Sequence, residues 1–139
     1  MTGLSTPVVP VSWGELLDKL TILEIKRERI SAPAARANVE AEHEVVRGAA
    51  APALAVPEIA ADLDELRDVN LRLWGIEDAI RAEDAAGRFG ETFIELARAV
   101  YGANDRRAAV KRRLNQRLGS ALTEEKSYHG PDVTARQDA

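Results

Sequence analysis

Residues 57–87, PEIAADLDELRDVNLRLWGIEDAIRAEDAAG, and residues 88–119, RFGETFIELARAVYGANDRRAAVKRRLNQRLG, decide the fold. In the first, Ile59, Leu63, Leu66, Leu73 and Ile80 fall on one face of a helix with about 3.6 residues per turn. In the second, Phe89, Phe93, Leu96, Val100, Leu114 and Leu118 do the same. Gly87 and Gly119 stand where the patterns stop, each free to take the left-handed conformation that closes a helix. Arg112, Arg113 and Arg117 lie where cations complement the negative end of a helix dipole. At ~1.5 Å per residue each helix spans about 45 Å. Long helices joined by a short link pack as antiparallel neighbours, so this half of the chain reads as a hairpin.

The hairpin's apolar stripe needs a cover, and the N-terminal half supplies it. Ser12 and Glu15 have capping-box spacing, with the hydroxyl serving an orphan amide and the carboxylate reaching back. A helix follows from about Trp13 to Ile30, its face built of Trp13, Leu16, Leu17, Leu20, Leu23 and Ile30. Ser31 and Pro33 mark a break and a second start. That helix is weaker and ends near Arg47, with Gly48 through Pro57 as an Ala/Pro-rich connection. A short helical turn is expected over Thr123–Tyr128. The expectation is therefore an all-α, antiparallel bundle of four main helices over residues 12–128, with the two long helices last. An extended arm at 1–11, carrying Val8-Val9-Pro10-Val11, precedes it, and a flexible tail at 129–139 follows. No internal repeat and no strand pattern emerges.

Bulk composition narrows the function classes. The chain has 139 residues, 45% hydrophobic and 30% charged, which suits one globular domain and is too apolar for disorder. A net charge of −4 argues against a general nucleic-acid binder, and the basic stretch Arg106–Arg117 lacks interleaved aromatics. Without cysteine there are no disulfides, no thiolate catalysis and no cysteine-ligated zinc. No run approaches the roughly 18 apolar residues of a membrane span, and the N-terminus lacks a secretory pattern. The reading expects a cytoplasmic protein with no membrane insertion.

Polar residues interrupt the apolar faces of three helices. Glu24 and Arg27 fall within the stripe of the first. Asn70 and Glu77 lie near the centre of the third, with Trp74 and Arg81 beside them. Asn104, Arg107, Lys111 and Asn115 intrude into the fourth. A buried charge without a partner costs several kcal/mol, so such groups pair, bind water or meet a ligand. If all faced one cavity, four cations would exceed two acids, which would suit a small anionic ligand such as a carboxylate or phosphate. Alternatively they satisfy one another, as Glu24–Arg27 and Glu77–Arg81 could at helical spacing. On this placement Glu77→Ala and Asn70→Ala should cost more stability than Glu83→Ala.

Other chemistry finds less support. His43 sits in Glu40–Glu44, but no H-E-x-x-H or E-x-x-H occurs, so no metal site is expected. Glu77-Asp78 and Glu83-Asp84, with Glu58, Asp62 and Glu65, offer fragments of a magnesium-binding pattern but read as a solvated face. There is no G-x-S-x-G and no glycine-rich phosphate loop, and no cofactor is implied. A chorismate-mutase-like bundle matches in architecture and polar composition only, not in motif spacing. Glycine follows an aromatic at Trp13-Gly14, Trp74-Gly75 and Tyr101-Gly102, although glycine inside a helix costs about 1 kcal/mol. Gly75 and Gly102 project away from the core stripes, and Ile22, Ile25, Leu71 and Ile94 lie off them. These suggest an outer contact surface and a homodimer.

Four stretches carry a family resemblance: S-W-G-E-L-L-D-K-L-T-I-L-E-I-K-R-E-R-I, V-N-L-R-L-W-G-I-E-D-A-I-R, A-N-D-R-R-A-A-V-K-R-R-L-N and L-G-S-A-L-T-E-E-K-S-Y. Over most of residues 8–128 the chain resembles a family of short bacterial all-helical proteins classed as a domain of unknown function. The resemblance implies no catalytic residues. Some members resemble neighbours of glycosyltransferases in cell-surface polysaccharide clusters, which implies an accessory role there. Two functions stay open from sequence: a bundle with an anion site, or a non-enzymatic accessory or assembly protein whose polar core fixes helix register.

Overall fold

A computed structural model describes residues 3–127. Four helices form: α1 Trp13–Arg29, α2 Pro33–Leu54, α3 Ala60–Ala85 and α4 Glu91–Leu118, with a 3-10 turn at Pro57–Ile59 leading into α3. The described residues contain no strand. α3 and α4 make the hairpin, α1 lies against both, and α2 packs on α1. The all-α bundle expected from sequence is the fold.

The core sits where α1 meets the hairpin. Leu17, Leu20 and Leu23 of α1 pack with Leu66 and Val69 of α3 and with Val110 and Leu114 of α4. Val46, Ala50 and Ala53 of α2 close the other side. Each fully buried leucine contributes about 1.5–3 kcal/mol of hydrophobic stabilisation. Because α1 is covered from two sides, its buried arc is wider than one stripe and takes in Asp18, Thr21 and Ile25 as well as the leucines.

Several boundaries differ from the expected ones. α2 continues seven residues beyond Arg47 to Leu54, through Pro52. Pro52 lies in the last turn and forfeits one helical hydrogen bond there, while the run Ala49-Ala50-Ala51 has the highest helix propensity and Ala50 and Ala53 are buried. α4 begins at Glu91, because Gly90 is extended, and Phe89 packs edge-on against Phe93 at 5.3 Å. Gly87 and Gly119 take φ of 68° and 64°, as the sequence required. No helical turn forms over residues 122–127, and Tyr128 with the tail at 129–139 lies outside the described residues. Residues 3–11 have no regular secondary structure and are exposed. Among the described residues no helix is long and apolar enough to cross a membrane.

The far half of the hairpin stands apart from the rest. No residue of α3 beyond Ile76 and none of α4 before Ala103 is buried. Ile22 and Ile25, expected on an outer surface, instead pack inward: Ile22 is half-buried and Ile25 buried. Leu71 and Ile94 are exposed as expected, and the space above Gly75 and Gly102 is open.

Candidate functional site: a polar network joining α1, α3 and α4

The network starts at the first turn of α1, whose amides have no partner within the helix. Ser12 Oγ accepts from the Glu15 amide at 3.1 Å. The Gly14 amide donates to Asn115 Oδ1 at 2.7 Å, and the Trp13 amide to Ser120 Oγ at 2.9 Å. Ser120 in turn donates its hydroxyl to Asn115 Oδ1 at 3.1 Å. One helix is thus capped by the end of another. This approach explains the glycine of Trp13-Gly14: a Cβ there would lie 2.5 Å from the Lys111 carbonyl oxygen and 2.8 Å from Asn115 Oδ1.

One turn further along, Asp18 is 1% exposed and forms the centre. Its Oδ1 accepts from Asn70 Nδ2 at 2.8 Å and from Arg107 Nε at 2.8 Å, and its Oδ2 takes a second Arg107 donor. Asn70 also donates to Thr21 Oγ1 at 2.8 Å, and Thr21 donates to the Asp18 carbonyl at 2.8 Å. Sequence reasoning missed Asp18 and Thr21 because it gave α1 a single stripe. Their i,i+3 spacing beside Leu17 and Leu20 is the signal that a two-sided helix would have revealed.

At the edge of the network, Lys111 Nζ sits between Glu15 and Glu124, 2.7 Å from each. Glu15 therefore serves Lys111 and does not reach back to cap its own helix. Burial works to lower the Lys111 pKa, but hydrogen bonds to Glu124 and Glu15 outweigh it and the net shift is upward. The Arg107 pKa is raised as well, chiefly by its hydrogen bonds to Asp18. The Glu124 carboxyl is held below its ordinary value by Lys111. Glu124 belongs to the irregular segment after α4, which this contact ties to the bundle.

The ten residues expected in one site divide. Asn70, Arg107, Lys111 and Asn115 come together here. Glu24 pairs with Arg67 of α3 at 3.1 Å, and Arg27 with Glu40 of α2 at 3.0 Å, so the i,i+3 pair Glu24–Arg27 does not form. Arg27 also meets His43 Nε2 at 3.4 Å. Glu77 and Arg81 form an exposed i,i+4 pair on the unburied half of the hairpin, not a core contact. Trp74 and Asn104 are half-buried and make no side-chain hydrogen bond with another described residue. The expected cation surplus is absent, since Asp18, Glu15 and Glu124 face Arg107 and Lys111, three acids to two cations. Among the described residues no buried side-chain nitrogen or oxygen lacks a partner. The cavity at Lys111, Asn115 and Glu124 measures about 10 Å³, room for one water at most.

A second cluster ties the base of the hairpin. Asp62, buried and not solvated, accepts from Arg113 at 3.1 Å and Arg117 at 2.6 Å. Glu65 pairs with Arg106 at 3.0 Å and also with Arg113. Arg113 and Arg117 thus serve α3 acids more than their own helix dipole. Of the acids considered for magnesium, Asp62, Glu65, Glu77 and Glu83 pair with arginines, Glu58, Asp78 and Asp84 make no ion pair with a described residue, and no metal-ligating group of side chains occurs among the described residues.

The four stretches quoted for the resemblance meet in the Asp18 network: Gly14, Glu15, Asp18 and Thr21 from the first, Asn70 from the second, Arg107, Lys111 and Asn115 from the third, Ser120 and Glu124 from the fourth. The chain belongs to the DUF6165 family, a family of unknown function, whose model matches residues 8–138. No curated protein and no solved structure matches it.

Proposed function

We propose that the protein is a non-enzymatic accessory or assembly module of the bacterial cytoplasm, working as a homodimer through its surface, with the Asp18 network as an internal register lock. The carrying observation is that the two cations brought into the network, Arg107 and Lys111, are already neutralised by carboxylates, and the cavity beside Lys111 is no larger than a water. An anionic ligand at Arg107 would have to displace Asp18, which is held by an arginine and an amide and is 1% exposed. A polar network with every group paired specifies one helix arrangement, because any slip leaves a buried charge unpaired. The resemblance of some family members to neighbours of glycosyltransferases supports, by association, a place beside enzymes of cell-surface polysaccharide assembly.

The test is a thermal-shift panel of inorganic phosphate, citrate and a nucleotide sugar at millimolar concentration. The expected result is no change in Tm. A ligand at 100 times its Kd adds about 2.7 kcal/mol, so a reproducible rise of several degrees with any of the three would overturn the reading in favour of an anion site.

A further inference from the structure

The outer face of α4 carries a helix-seam pattern, flanked by the chain's own later segment only at Ala108 and Arg112. Ile94, Ala97, Tyr101, Asn104 and Ala108 recur at alternating three- and four-residue steps, the spacing of a helix–helix seam. Ile94 is 54% and Tyr101 70% exposed, and no residue of α4 before Ala103 is buried. Beside the seam run Glu91, Arg98, Asp105 and Arg112, seven residues apart, all exposed and alternating in sign. None of the four makes an ion pair with a described residue, whereas Arg106, Arg107, Arg113 and Arg117 of the same helix all do.

An alternating row at heptad spacing is complementary to itself only when reversed. A parallel copy in register would set Glu91 against Glu91 and Arg98 against Arg98. A copy related by a twofold axis beside Tyr101 and Gly102 sets Glu91 against the partner's Arg112 and Arg98 against the partner's Asp105. Each contact then occurs twice by symmetry. Ala97 and Ala108 are small enough for the two helices to approach at about 8 Å, and Ile94 and Tyr101 fill the seam. We propose that α4 pairs antiparallel with α4 of a second copy through this face, so that Arg98–Asp105 and Glu91–Arg112 contacts fix the register. This rests on the homodimer proposed above and supplies its interface.

The test is the molar mass at sedimentation equilibrium over a concentration series, for the full chain and for Arg98→Glu, Asp105→Arg and the double variant. Arg98 and Asp105, like Ile94, are exposed and outside the polar network, and circular-dichroism melting verifies the fold of each variant. Either single reversal puts like charges together at two symmetric points and should weaken the dimer by about tenfold or more. The double variant restores opposite charges and should recover most of the affinity. Ile94→Asp should abolish pairing in any background. A parent chain that stays monomeric throughout overturns both the homodimer and its interface. A dimer that ignores the single reversals, or that the double variant fails to restore, overturns this interface and leaves the homodimer standing.

Discussion

Gly14→Ala and Gly75→Ala make the same chemical change inside a helix, and the structure requires opposite outcomes. At Gly75 an added methyl meets open space, so the change should raise stability by up to about 1 kcal/mol through helix propensity. At Gly14 it meets the Lys111 carbonyl oxygen at 2.5 Å and Asn115 Oδ1 at 2.8 Å. The first obstacle is backbone, so α1 must move away from α4. Overpacking of this kind costs about 1–3 kcal/mol. The movement also stretches the buried Gly14–Asn115 hydrogen bond, which costs about 1 kcal/mol more. Set against a propensity gain of at most about 1 kcal/mol, the net loss is about 1–3 kcal/mol, or roughly 4–12 °C in Tm. Urea unfolding followed by circular dichroism would read both variants against the parent, with an unchanged m-value confirming that the same surface unfolds. If Gly14→Ala is as stable as Gly75→Ala, the close seating of α1 on α4 is wrong, and the inter-helix cap built on it fails too.

Asp18→Ala leaves Arg107 and Asn70 facing an empty acceptor site and should cost about 3–5 kcal/mol, and Asn70→Ala about 1–3 kcal/mol. Glu77→Ala, by contrast, should stay within about 0.5 kcal/mol by urea unfolding, because its only partner among the described residues is the exposed Arg81. The Glu124–Lys111 contact gives a signed pH dependence. Glu124 has its pKa lowered from 4.5, so its contribution is fully present above that value and is lost as pH falls through the lower, folded one. Lys111 behaves oppositely, with a pKa raised from 10.5 and a contribution that fades only as pH rises beyond that. Stability measured from neutral pH down to the acid range should fall less steeply in Glu124→Gln than in the parent, and equal slopes would remove Glu124 from the lock.

Helix number, the hairpin and its glycine stops were legible in the sequence because apolar spacing and left-handed glycines act locally. The extension of α2 through Pro52 was not, because propensity rules price the proline without knowing that Ala50 and Ala53 would be buried on α1. The site was half legible. Asn70, Arg107, Lys111 and Asn115 interrupt stripes on helices buried from one side, where a wheel reads correctly. Asp18 and Thr21 escaped because α1 is sandwiched, and Glu77 and Arg81 were drawn inward because the wheel cannot know that no residue of α3 beyond Ile76 is buried. Whether an acid on a stripe meets a cation depends on neighbours 89 residues away, as with Asp18 and Arg107.

The cap on α1 has a consequence for the order of folding. The acceptors of its first amides lie 101 and 107 residues further along the chain, at Asn115 and Ser120. While a ribosome is still making α3, the first turn of α1 has only its own Ser12 as a cap, and a helix end with unsatisfied amides frays. The domain is therefore expected to close only when the end of α4 emerges, with first and last helices setting together. A chain cut before Asn115 would lose the beginning of the fold along with its end.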